Sequence, residues 1–296
     1  MTYTTKKITT FFLCYILIAN AFAQSTGKII EQQSIKSTIL SKDVKYSIYL
    51  PPNYDNATQL YPVVYLLHGY GGNNNSWIKT GNVNEYADKA IANNTIPAVI
   101  IVMPNADSSF YINAYNHKIN YEDFFINEFI PAIEKTYRVK AEKKYRAIAG
   151  LSMGGYGALL YTLKYPNIFS AAAALSAAIL DDNDYMNMPA PQWNQLFSQS
   201  YGINLMGKDR LDKTWYSNSI LKIVDTKTAD ELKAAHYWID CGDDDFLTKG
   251  NCLLHIALAD KKVAHEYRVR DGSHNWNYWR SGITDALQSI TTGFKL

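Results

Sequence analysis

Ser152 stands in Gly150-Leu151-Ser152-Met153-Gly154, directly after the apolar run 145–149 and directly before the helix-compatible run 156–163, with a third glycine at Gly155. A serine on a tight turn between a strand and a helix is placed for nucleophilic attack, because small neighbours let the backbone pass close enough to expose its hydroxyl. The chemistry this suits is acyl transfer. A serine is inert near neutral pH unless a base takes its proton, and the base must be held in one tautomer by an acid.

The chain has six histidines. His68 precedes the turn, His117 falls in a polar loop, His255 in an expected helix and His265 in an expected strand. His274 follows the strand end and loop Val269-Arg270-Asp271-Gly272-Ser273, which makes it the expected base. Four aspartates crowd the end of the preceding strand. Asp240 still lies in the strand, whereas Asp243, Asp244 and Asp245 share a loop, and residue types alone leave the choice among these three open. A calcium site needs more ligands at wider spacing, so no metal is expected. The oxyanion of acyl transfer needs backbone donors aimed at it. The amide of Met153, next to the nucleophile, is one. The turn His68-Gly69-Tyr70-Gly71-Gly72 supplies the other, expected at the Tyr70 amide.

Strands are expected at 35–40, 44–50, 63–67, 98–103, 145–149, 171–175, 237–241 and 264–269. Helices are expected at 83–93, 121–137, 156–163, 253–260 and 278–291. The short continuous apolar runs suit parallel strands covered on both faces, and Pro131 predicts a kink in the second helix. Strands alternating with helices give an α/β doubly wound, mostly parallel sheet with antiparallel strands at the N-terminal edge, in a single domain over 24–296. From about 180 to 230 the rhythm breaks into an irregular excursion expected to lie over the active face. Its aromatics Trp193 and Trp215, with Trp276 and Trp279 after the histidine, are expected to contact substrate.

At 296 residues and 47% apolar composition the chain can bury one substantial core. Residues 1–23 carry Lys6 and Lys7, an apolar stretch from 8 to 18, and Ala21-Phe22-Ala23, the pattern of a leader cleaved on export; the stretch is too short for a bilayer span. Removing the two lysines takes the formal net charge from +2 to 0, which argues against nucleic acid as a partner. Cys241 and Cys252 are expected to be buried free thiols, and no organic cofactor is implied. Oligomeric state is not encoded in these patterns.

Together these motifs resemble the esterase D-like group of α/β-hydrolases, which includes carbohydrate esterases of the feruloyl and acetylxylan type. The matching residues are Tyr49-Leu50-Pro51-Pro52-Asn53-Tyr54, Leu67-His68-Gly69, Gly150 to Gly155, the loop from Cys241 to Leu247, and Asp271-Gly272-Ser273-His274. The resemblance implies Ser152 as nucleophile and His274 as base, and it selects Asp245 as the acid, three residues after the strand-end Gly242. It also implies oxyanion donors at Tyr70 and Met153. The implied activity is hydrolysis of feruloyl or acetyl esters on plant polysaccharides or oligosaccharides by an exported enzyme, periplasmic or secreted. Alternatives are an esterase on other small esters, similar to S-formylglutathione hydrolases, and a non-catalytic carbohydrate-binding protein on the same fold.

Overall fold

The computed structural model describes residues 26–294, so the leader expected at 1–23 lies outside the described residues. The strands are β1 (Lys28–Ser37), β2 (Lys42–Leu50), β3 (Val63–Leu67), β4 (Ile100–Pro104), β5 (Arg146–Leu151), β6 (Ala171–Leu175), β7 (His236–Gly242) and β8 (Glu266–Arg270). They form one sheet in the order β1-β2-β4-β3-β5-β6-β7-β8. β1–β2 and β2–β4 pair antiparallel and all other pairs are parallel, as the α/β-hydrolase expectation required.

The continuous apolar runs have a simple origin. In β3 and β5, alternate residues join opposite cores: Val63, Tyr65, Leu67 and Ile148 on one face, Val64, Leu66, Ala147 and Ala149 on the other. Both faces are covered, so a charged residue is confined to a strand end, where Arg146 of β5 pairs with Glu134. The helix Met153–Lys164 covers the first face, and the helices Val83–Ala92 and Trp276–Thr291 cover the second.

Two expectations are corrected and one is refined. The first strand ends at Ser37 rather than continuing to residue 40, because the Glu128 carboxylate accepts from the Thr38 and Ile39 amides and draws that backbone out of the ladder. The helix expected over 121–137 runs from Tyr121 to Thr136 with helical backbone throughout, and its middle turn, Phe125–Phe129, is π-helical just before Pro131, which cannot donate to the preceding turn. The 180–230 excursion is not irregular but a string of short helices, including Asp182–Asn187, Ala190–Leu196, Lys213–Asn218 and Ile220–Thr226. Its polar caps, such as the reciprocal bonds between Asp181 and Asp184, hide helix signals too short to show periodicity.

Both thiols are free and Cys241 is buried, but the expectation of burial is corrected for Cys252, which lies exposed on the helix Thr248–Asp260. Among the described residues no helix is long and apolar enough to cross a membrane.

Beneath the helical layer, Tyr65 packs edge-on to Phe125, Phe129 and Phe169 with centroid separations of 5.6, 6.2 and 6.4 Å. Its buried hydroxyl has no hydrogen-bond partner among the described residues. Deleting an unsatisfied buried hydroxyl removes a desolvation penalty without opening a large void. Tyr65→Phe is therefore expected to stabilise the protein by about 1 kcal/mol, raising the thermal midpoint by about 2–4 °C. A midpoint lowered by a similar amount would show that the hydroxyl has a partner.

Candidate active site

Ser152 joins β5 to the helix Met153–Lys164 with φ 53° and ψ −118°, a strained conformation for a residue with a side chain. The turn is fixed from both sides. The Ser152 amide donates to the Leu175 carbonyl at 2.9 Å, and the Ser152 carbonyl accepts from the amides of Tyr156 and Ala178, each at 3.0 Å. Glycine is needed nearby for space: a Cβ on Gly150 would lie 2.4 Å from Gly154 backbone, and one on Gly154 would lie 2.4 Å from the Leu67 carbonyl oxygen.

His274, on the loop between β8 and the helix Trp276–Thr291, brings Nε2 to 2.9 Å from Ser152 Oγ. Its Nδ1 lies 2.9 and 3.1 Å from the two carboxylate oxygens of Asp245. Because an ionised carboxylate only accepts, Nδ1 carries the proton and Nε2 is left to accept from the serine. Asp245 is almost fully buried, which on its own would raise its pKa. Hydrogen bonds from His274 and from the Leu247 amide outweigh that and hold the carboxyl below its usual range. The imidazole is flanked by Phe246 at 4.6 Å and by Trp279, edge-on, at 4.9 Å. Trp279 in turn donates from Nε1 to Ser176 Oγ at 3.1 Å.

The other aspartates of the crowded loop have separate partners. Asp240 is fully buried with Arg270 and the Tyr278 hydroxyl. Asp243 accepts from the Gly272 amide at 3.0 Å. The carboxylates of Asp243, Asp244 and Asp271 lie within 4.8 Å of one another, all exposed; they are the one group among the described residues with the spacing to ligate a metal. Exposed acidic groups of this kind are common without an ion. His255 and His265, set aside as bases, contact each other, Nδ1 to Nε2 at 2.8 Å, away from this cluster.

Tyr70 and Met153 both line the cavity that contains Ser152 and His274. No acceptor among the described residues takes either amide hydrogen. The Tyr70 loop is anchored by His68, which is buried. The Ala106 amide donates to its Nε2 at 2.9 Å, so Nδ1 carries the proton and donates to the Gly69 carbonyl at 2.8 Å. Charging this ring would break the Ala106 bond in an apolar setting. Burial therefore pulls its pKa down to about 4, against an opposing contribution from the Gly69 bond.

The cavity has a volume of about 680 Å³. Trp276 and Trp279 are on its wall. Trp193 and Trp215 are not: both are buried inside the excursion, Trp193 donating to the Gly202 carbonyl at 2.9 Å and Trp215 packing on Tyr185. The expectation that these two contact substrate is corrected, since a large apolar ring in a thin helical layer is consumed by that layer's own core. The excursion offers Met188, Leu196 and Phe197 to the cavity instead, facing Phe110 and Phe246. Sequence gave no sign of Phe110, but Phe246, 75% exposed beside Asp245, was available to a reading of that loop.

A family model described as putative esterase matches residues 37–290. An acetyl esterase of Caldicellulosiruptor saccharolyticus is 28% identical over 76% of this chain and 81% of its own length. An endo-1,4-beta-xylanase/feruloyl esterase of Xylanibacter ruminicola is 36% identical over 50% of this chain and 21% of its own length. Among solved structures, a ferulic acid esterase superposes with a TM-score of 0.80 and 32% identity, over 92% of this chain and 100% of that one.

The anchoring ring makes stability pH-dependent. Unfolded imidazole takes a proton below about pH 6.5, whereas folded His68 stays neutral until about pH 4, so protons favour the unfolded state between these values. Its contribution is complete above pH 6.5 and declines as the pH falls toward 4, by about 3 kcal/mol in all. Urea unfolding at pH 7 and pH 4.5 should show this loss in the wild type and most of it abolished in His68→Gln. An equal pH dependence in both proteins would place the titration elsewhere.

Proposed function

The chain belongs to the putative esterase family, and from that membership we propose that it is an exported serine carboxylesterase releasing feruloyl or acetyl groups from plant-type polysaccharides or their oligosaccharides. The observation that carries the mechanism is the single hydrogen-bonded line from Ser152 Oγ through His274 to Asp245. Ser152 attacks the ester carbonyl while its proton passes to His274 Nε2. The amides of Tyr70 and Met153 receive the tetrahedral oxyanion. Collapse expels the alcohol, which takes the proton from His274, and leaves an acyl group on Ser152. Water then attacks with His274 again as base, releasing the acid and free serine. Asp245 holds the Nδ1–H tautomer and stabilises the imidazolium.

The substrate class rests on the lining of the cavity and on the relatives. The apolar wall of Phe110, Leu196, Phe197 and Met188 suits an aromatic or short acyl group, and Trp276 offers a flat face to a ring. Relatives named acetyl esterase and feruloyl esterase agree with that chemistry. Export rests on the pattern of residues 1–23.

Ser152→Ala is expected to lower kcat/KM on methyl ferulate and 4-nitrophenyl acetate by on the order of 10³-fold or more. Activity within tenfold of wild type would remove the serine from the mechanism. Asp245→Asn should lose on the order of 10²-fold or more through the wrong imidazole tautomer. Asp243→Asn and Asp244→Asn should stay within about threefold; equal losses at all three positions would reassign the acid.

A further inference from the structure

We propose that a polar groove opening off the catalytic cavity beside residues 73–80 binds the sugar chain on the alcohol side of the ester; this rests on the carbohydrate-esterase reading above. The groove has a volume of about 510 Å³ and shares Ser76 and Thr80 with the catalytic cavity, so the two spaces adjoin. Their linings differ in chemistry. The cavity carries the apolar side chains that suit an acyl group, whereas the groove is walled by Gln32, Lys45, Asn73, Asn74, Asn75 and Asn105. Amides and an ammonium are the partners that a chain of hydroxyls requires.

The amide wall is held rigid. Asn74, buried, donates from Nδ2 to Ser47 Oγ at 2.8 Å and to Asn75 Oδ1 at 3.0 Å. Asn73 Oδ1 accepts from the Asn75 amide at 2.8 Å, and the Asn73 amide donates to Ser76 Oγ at 2.9 Å. These bonds leave the Asn73 Nδ2 donor unused. The exposed Lys45 ammonium and Gln32 side-chain amide line the same groove, and neither has a side-chain partner among the described residues. Gln32 reaches the groove through a β-bulge: the β1–β2 register shifts between Ile30 and Gln33, and Gln32 takes φ 57°. Bulges re-aim side chains in this way, and a positive φ at a residue with a Cβ is unfavourable without such a purpose or a strong local restraint.

A second polar depression, of about 320 Å³, also adjoins the cavity through Leu180, Met188, Gln192 and Phe246. Apart from Gln192, its polar side chains are already paired with one another or with Asp181. Lys249 bridges Asp181 and Asp184, and Asn187 donates to Asn183. Unused donors therefore favour the groove at Asn73 and Lys45 as the place where a glycan would be held.

The test compares two esters of one acyl group: methyl ferulate against a feruloylated xylo-oligosaccharide, or 4-nitrophenyl acetate against an acetylated one, whichever acyl group the wild type turns over. In the double variant Lys45→Ala/Asn73→Ala, the ratio of kcat/KM on the oligosaccharide ester to that on the small ester should fall about tenfold, through KM, as two hydrogen bonds are lost. Taking a ratio cancels any loss of folded enzyme. Unesterified xylo-oligosaccharide should also inhibit small-ester hydrolysis competitively in the wild type, about tenfold more weakly in the variant. A ratio unchanged within twofold, or no inhibition of the wild type at millimolar oligosaccharide, overturns the groove assignment and leaves the esterase reading standing. Failure of the wild type on every one of these esters overturns the esterase reading itself.

Discussion

The backbone at Ser152 occupies a conformation that a residue with a Cβ adopts only under restraint, and the rest of the site depends on that restraint. It is supplied by the sheet. The carbonyl at the end of β6 takes the Ser152 amide, and the Ala178 amide from the following loop returns a bond to the Ser152 carbonyl. Two glycines let β3, β5 and the following helix approach to distances that any side chain would forbid. Strain at one residue is thus balanced by the packing of three parallel strands. The serine hydroxyl is presented in a fixed direction before any substrate arrives.

A fixed hydroxyl is of use only if the base and acid are placed to match it, and they come from two different loops. Those loops are tied to each other. The Asp243 and Asp244 amides donate to the carbonyls of Arg270 and Gly272, each at 3.1 Å, and the Asp243 carboxylate accepts from the Gly272 amide. Below them, buried Asp240 holds Arg270 and Tyr278 together. An unpaired carboxylate at that depth would be strongly unfavourable, so the ends of β7 and β8 and the start of the last helix are bound to one another. The run of aspartates that looked redundant in sequence is divided among anchoring a strand end, joining two loops and orienting an imidazole.

The cavity wall above the sheet is built on a different principle. The excursion packs its own aromatics, Tyr185, Trp193, Tyr201 and Trp215, into a small core, with buried Arg210 donating to the carbonyls of Tyr185, Met188 and Leu205. Backbone carbonyls without regular-structure partners are satisfied in this way by one guanidinium, whose fork of donors suits several acceptors at once. A wall so supported can present Met188, Leu196 and Phe197 to the cavity. The Tyr70 hydroxyl adds a tie from the oxyanion loop to this wall, donating to the Gln195 carbonyl at 2.7 Å.

Much of this was readable from the chain alone, for a reason that can be stated. Parallel strands buried on both faces must be apolar at every interior position, so β3, β4, β5 and β6 declare themselves within a residue or two. The turn at Ser152 needs its glycines wherever it occurs, and the loop order of serine, acid and histidine came from resemblance to α/β-hydrolases. What depends on contacts between distant residues did not show: Glu128 ending β1 early, and the inward fate of Trp193 and Trp215. Residue types could narrow the acid to three aspartates, and resemblance to a family selected Asp245. Its 2.9 Å contact with His274 exists only because the loops after β7 and β8 are tied together, and no local pattern records a bond between residues 29 positions apart.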